Sequence, residues 1–172
     1  MILKGLKEKS NKNYINSRLK NRVVSQSNSK INSIGVIFNA EEIDNLPDFN
    51  FLAKNLYLNK EEIEIIAFKE QVKKEENTFK PTFTLKHLGW KGVIKDKELQ
   101  QFLNKEFDLL ISYFKNDTTH LKLLTVSSKS KFKVGVLETD ERVNDLIIKT
   151  EMNDFKTFTS ELKKYLNILN KI

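Results

Sequence analysis

Cysteine is absent from the 172 residues. This excludes disulfides, thiolate metal sites and cysteine nucleophiles, and it fits a reducing compartment. Histidine occurs twice, at His87 and His120. The two lie in different segments with no partner at ligand spacing, so no metal site is expected. No apolar run approaches the roughly 18 residues needed to span a bilayer, and the cleanest, Phe107–Phe114, is strand-sized. Glycine numbers 5, and none falls in a G-x-G-x-x-G, P-loop or G-x-S-x-G pattern. The usual nucleotide loop and the serine nucleophile elbow are therefore missing, and no cofactor is expected. The most telling absence is of acids at the front of the chain, where Glu8 is the sole carboxylate in the first thirty positions.

Against Glu8, residues 1–30 hold Lys4, Lys7, Lys9, Lys12, Arg18, Lys20, Arg22 and Lys30. That stretch carries the entire net charge of +7, since residues 31–172 balance 22 basic with 22 acidic side chains. A neutral body behind a cationic arm suggests that the arm meets something anionic. The chain's 27 Lys against 3 Arg, with 18 Asn, match the bias of an AT-rich genome. Such bias explains why the cations are Lys but not why acids avoid the first thirty positions. The arm has neither the apolar stretch nor the cleavage site of a secretory signal. It is basic and Ser-containing like a mitochondrial presequence, but Lys-rich rather than Arg-rich. It is read as part of a mature cytoplasmic protein.

The length and a 39% hydrophobic content with 12 Phe support one packed domain over 31–172, preceded by a basic arm and linker over 1–30. Ser25–Lys30 (SQSNSK) is polar and without periodicity, as a linker is. Strands are predicted at Ser33–Phe38, Glu62–Phe68, Phe107–Phe114 and Phe132–Leu137, with a weaker edge segment at Phe79–Leu85 that Pro81 interrupts. Helix starts are predicted at Asn39–Glu42, at Pro47-Asp48, at Asp96 and at Asp117. A C-terminal helix is marked by Phe155, Phe158, Leu162, Tyr165, Leu166 and Leu169 at steps of three and four. Strands alternating with helices predict an α/β fold, Rossmann-like or flavodoxin-like, with a mainly parallel sheet of four to five strands flanked by helices. Gly35 and Gly135 lie inside strand candidates, where a glycine marks a bulge or a close backbone approach.

Ligands of open parallel sheets bind beyond the carboxyl ends of the strands. That rule nominates a rim of Asn39, Asn116, Glu138, Asp140 and Arg142. In Glu138-Thr139-Asp140-Glu141-Arg142, Arg142 can clamp an anion, but the favoured reading is a helix start whose acids complement its dipole. After the first strand, Asn39-Ala40-Glu41-Glu42 opposes a pyrophosphate, because two carboxylates repel what backbone amides would cradle. Trp90, in Gly89-Trp90-Lys91-Gly92, can stack on a base or anchor its loop to the core.

The arm's partner is expected to be RNA. Lys4, Lys7, Lys9, Lys12, Arg18, Lys20 and Arg22 supply phosphate contacts, and Tyr14 can stack on exposed bases. A second basic patch is Lys122, Lys129, Lys131 and Lys133, with Lys115 nearby. The leading expectation is a non-catalytic protein binding structured RNA at a ribosome or ribonucleoprotein, and removal of residues 1–24 should abolish binding while the body stays folded. Alternatives are a small-ligand binder or enzyme at the strand ends, a protein-interaction module, and an arm that packs Ile2, Leu3, Leu6, Tyr14, Ile15 and Leu19 on the body or lies on anionic lipid.

Gly89-Trp90-Lys91-Gly92, Phe107–Phe114 (FDLLISYF), Gly135–Thr150 (GVLETDERVNDLIIKT) and Tyr165–Ile172 (YLNILNKI) together resemble an uncharacterised family of small basic proteins from Bacteroidota-type bacteria. The resemblance spans nearly the whole chain, including Met1–Ser10. The family is a domain of unknown function, so the resemblance implies no activity and no catalytic residues. It implies a bacterial cytoplasmic origin.

Overall fold

Four apolar runs buried on both faces build the centre of the molecule. In the computed structural model, which describes residues 2–23, 29–72, 79, 81–136, 138 and 140–172, they form β1 (Ile34–Asn39), β2 (Ile63–Phe68), β4 (Leu109–Tyr113) and β5 (Phe132–Gly135). Two short strands, β3 (Thr82–Phe83) and β6 (Leu146–Ile147), extend the edges. Among the described residues the sheet has six strands in the order β3-β2-β1-β4-β5-β6, all pairings being parallel. This is the order of doubly wound sheets, whose direction reverses between β1 and β4. The register sets Val36 beside Ile65 on one side and Ile111 on the other.

Strand alternation sends Ile34, Val36, Phe38, Leu109, Ile111 and Tyr113 to one face, covered by α2 (Phe49–Asn55) and α5 (Phe155–Ile168). Ile37, Ile66, Phe68 and Leu110 go to the other, covered by α3 (Lys97–Asn104) and α4 (Thr119–Ser127). The first helix, α1 (Ile2–Lys20), packs along α4. It buries Asn11, Ile15 and Leu19, the last two joining the core that holds Leu121 and Leu124. Of the other apolar residues predicted to pack, Tyr14 does so, while Ile2, Leu3 and Leu6 stay exposed. The α1 segment therefore covers part of the core, and its removal would uncover it. No helix among the described residues is long and apolar enough to cross a membrane.

Both strand glycines mark close approaches. A Cβ on Gly35 would run into the Phe107 ring, and one on Gly135 into the Asn144 amide. Asp48, Asp96 and Asp154 cap α2, α3 and α5 by accepting from Phe51 N (2.9 Å), Leu99 N (3.0 Å) and Thr157 N (3.0 Å).

Three predicted helix starts are corrected. Asn39–Glu42 forms a turn, because the Asn39 side chain accepts from Glu41 N (3.1 Å) and holds Glu42 (2.6 Å), and α2 begins only at Phe49. The residue that opens α4 is Thr118 rather than Asp117, whose carboxylate is drawn to Lys122 at 2.5 Å. No helix follows Asp140–Glu141. Asp145 N and Ile148 N instead donate to Lys133 O (2.7 Å) and Gly135 O (2.9 Å), which lays β6 alongside β5. The predicted linker at Ser25–Lys30 lies mostly outside the described residues, as do Lys80 of the edge segment, Leu137 of the last strand and Thr139 of the acidic cluster.

Candidate nucleic-acid interface and strand-end rim

Where the sheet reverses direction, the backbone N–H groups after β4 point into the crevice that holds phosphates in doubly wound folds. Here Glu42 fills that seat. Its Oε2 accepts from Lys115 N at 2.6 Å and from Asn116 N at 3.1 Å, while Oε1 accepts from the buried Asn39 side chain at 2.6 Å. Glu41 seals the neighbouring edge by accepting from Glu70 N at 3.2 Å. The chain supplies its own anion, so a phosphate entering here would displace one charge and face a second.

The rim divides into three parts. Asn39 and Asn116 meet on Glu42. Asp140 accepts from the Arg142 guanidinium at 2.8 Å, with Lys122 at 3.7 Å. Arg142's side-chain hydrogen bond holds the Asp140 carboxyl below the ordinary carboxylate range, against the opposing effect of burial. Arg142 also reaches Asn16 of α1 at 3.5 Å. Glu138 pairs separately with Lys149 at 2.9 Å.

On α1, buried Asn11 is the organising residue. Its Nδ2 donates to Gly89 O at 3.1 Å and its Oδ1 accepts from Gly92 N at 3.0 Å, so one amide holds both sides of the same turn. Ser10 Oγ accepts from Lys91 N at 3.1 Å. The turn closes with Val93 N donating to Trp90 O at 3.0 Å, and its central residues Lys91 and Gly92 have φ of 51° and 75°. Both lie in the left-handed region that hairpin turns require. At Gly92 the missing side chain matters twice, since the Tyr14 ring occupies the space a Cβ would need. The sequence-level expectation that Tyr14 is free to stack on bases therefore differs from its place beneath this turn. Trp90 stands outside, 43% exposed, with Lys91 beside a shallow groove that Lys9 and Asn13 also line.

The remaining α1 cations separate by position. Lys4, Lys9, Arg18 and Lys20 are exposed. Lys12 is exposed and pairs with Glu8 at 2.9 Å. Lys7 is partly buried, and burial, with Lys95 nearby, lowers its pKa. Together with Lys4 and Lys12 it lines a cavity of about 670 Å³ against Thr118, His120 and Lys122 of the α4 start. His120 stacks on Phe68 with ring centroids 4.7 Å apart, and burial lowers its pKa against the pull of Glu70. Arg22 turns inward, donating to Arg142 O at 2.6 Å and Asp145 Oδ1 at 2.5 Å.

The second patch is not one cationic surface. Lys122 is held by Asp117, Lys131 by Asp108 at 2.7 Å, and Lys133 is buried with its Nζ donating to Ser128 O at 2.9 Å. Lys129 is the exposed remainder. Sequence reasoning marked Glu42 as opposing a phosphate but not the amides it would occupy, and it missed the roles of Asn11, Ser10 and Asp145. Each acts on a backbone or charge distant in the chain, and no local pattern marks it.

Residues 7–169 match the model of the Family of unknown function (DUF6913). The chain belongs to this family. The matched span opens inside α1, so this member of DUF6913 carries most of its basic helix within the family's own domain. Membership agrees with the resemblance read from the sequence at the level of a family of unknown function. No curated protein and no solved structure matches the chain.

Proposed function

We propose that this member of DUF6913 is a non-catalytic bacterial protein of the cytoplasm that binds structured RNA, at a ribosome or another ribonucleoprotein. The observation that supports this reading is the Asn11 bridge. It sets the chain's sole tryptophan, exposed, and Lys91 on the flank of the helix that bears most of the net positive charge. Lys4, Lys9, Arg18, Lys20 and Lys91 offer phosphate contacts in water, and Trp90 offers a face on which an unpaired base can stack. A docked helix presents these groups in fixed positions, which suits a folded RNA better than a flexible arm does. The competing strand-end reading meets a crevice already occupied by Glu42.

The test uses the full chain and a fluorescent RNA hairpin with an unpaired loop, read by anisotropy at several salt concentrations. Trp90→Ala is expected to weaken binding by about tenfold or more, since stacking on one base contributes about 1–3 kcal/mol, with the urea midpoint unchanged. Lys9→Gln combined with Lys91→Gln is expected to flatten the salt dependence by roughly 0.7 per lost contact. Absence of saturable binding by the native chain, or native affinity in Trp90→Ala, discards the reading.

A further inference from the structure

At the C-terminal end of α1, beyond the Trp90 turn held at its middle, positive charge is buried without enough negative charge among the described residues to answer it. A cavity of about 430 Å³ opens between the end of α1, the end of α4 and β5, lined by Ser17, Arg18, Asn21, Arg22, Ser128 and Lys133 among others. Lys133 is 7% exposed. An ammonium has three N–H donors, and among the described residues Ser128 O takes one of them. The one carboxylate at this place among the described residues, Asp145, has both oxygens engaged elsewhere. Oδ1 accepts from Arg22 and Oδ2 from the Lys133 backbone N–H at 2.7 Å. Among the described residues, Arg18, Arg22 and Lys133 thus face a single acid. Burying a cation without a paired counter-charge is costly, and the cavity has room for an anion.

We propose that this cavity binds a dianionic phosphate group, either inorganic phosphate or the terminal phosphomonoester of an RNA. Two guanidinium groups and an ammonium suit a dianion with several acceptor oxygens, and the planar fork of Arg matches phosphate geometry. The electrostatics agree. Burial first, then Arg22 and Arg18, bring the Lys133 amine down to about 8, with Asp145 opposing. A bound dianion reverses that balance and raises the pKa again. Binding is therefore coupled to uptake of a proton near pH 8, and affinity falls as pH rises further.

The cavity lies away from the Trp90 turn and shares with the RNA reading only Arg18, so Trp90→Ala and Lys133→Met test the two apart. Isothermal titration of the full chain with inorganic phosphate, at low ionic strength in two buffers of different ionisation enthalpy, is expected to show saturable binding with proton uptake. Lys133→Met should lose about tenfold or more in affinity, and exposed Arg18→Gln should lose several-fold, with circular dichroism showing both variants folded. Trp90→Ala should leave phosphate binding unchanged even if it abolishes RNA binding. A 5′-phosphorylated oligonucleotide that outcompetes its 5′-hydroxyl twin in the native chain, but not in Lys133→Met, identifies an RNA end as the source. Equal binding of the twins, with inorganic phosphate still bound, identifies the free ion. No saturable phosphate binding, binding without proton uptake, or native affinity in both variants overturns the proposal.

Discussion

At the strand-end crevice, the carboxylate of Glu42 fills a seat made of two backbone N–H groups and the Asn39 amide. Along α1, six cations stand against Glu8 alone, and the end of the helix borders a cavity lined by Arg18, Arg22 and Lys133, with Asp145 bonded to Arg22. The two regions treat the same problem in opposite ways. In the first, positive potential is met from within the chain. In the second, the cations outnumber the acids among the described residues, and on our proposal an outside anion meets the excess. The difference is one of topology: Glu42 lies one turn beyond β1, within side-chain reach of the start of the neighbouring β4–α4 connection, whereas the acids near α1 are already committed to Lys12, Lys122, Arg142 and Arg22.

Emptying the filled seat should give the largest effect. Glu42→Ala leaves Lys115 N and Asn116 N without their carboxylate and is expected to cost about 3 kcal/mol, in the range for hydrogen bonds to a charged group, read from urea unfolding. In a Lys133→Met background, sulfate at millimolar concentration should return part of that loss to the Ala variant and do little for the Glu42 parent. Sulfate acting equally on both would mean that the crevice is no anion seat.

Asn11→Ala sharpens the other side of the comparison. It strips partners from Gly89 O and Gly92 N, and is expected to cost about 2 kcal/mol while weakening RNA binding along with Trp90→Ala. Full stability together with full RNA affinity would detach the turn from any role in the interface.

The smallest expected effect is a pH dependence. Lys133 titrates at about 8 in the folded chain against an ordinary 10.5. Below pH 8 both states hold the proton and the fold carries the whole cost of the buried charge. Between the two values the unfolded chain retains more protons, so stability contributed by this group climbs with pH and then levels off. Subtracting the urea-midpoint profile of Lys133→Met from that of the native chain should isolate this rise, and a flat difference would place the amine in water.

The strands were legible because burial on both faces writes itself as short unbroken apolar runs, as in Phe107–Phe114. β6 was not, since Leu146 and Ile147 are only half-buried and belong to a two-residue edge. Asp48 and Asp96 were legible as caps because a cap acts within three residues of itself. Glu42, Asp117 and Asp140 look the same in sequence but serve other groups. Glu42's backbone partners lie 73 and 74 residues away, a distance that local patterns do not encode. The charge imbalance at the front of the chain was legible as a total. Its division between the open surface, the Asp145 cluster and the cavity at α4 depended on which side of α1 meets the body, and Asn11, Ile15 and Leu19 decide that.

A side-chain amide that grips a loop at two points also measures it. Asn11 spans Gly89 O to Gly92 N, so a single inserted or deleted residue in that stretch would break one of its bonds or the other. Most surface loops drift in length at little cost. This one is held to gauge by a residue 78 positions upstream, and its length is as much a part of the core's specification as any buried phenylalanine.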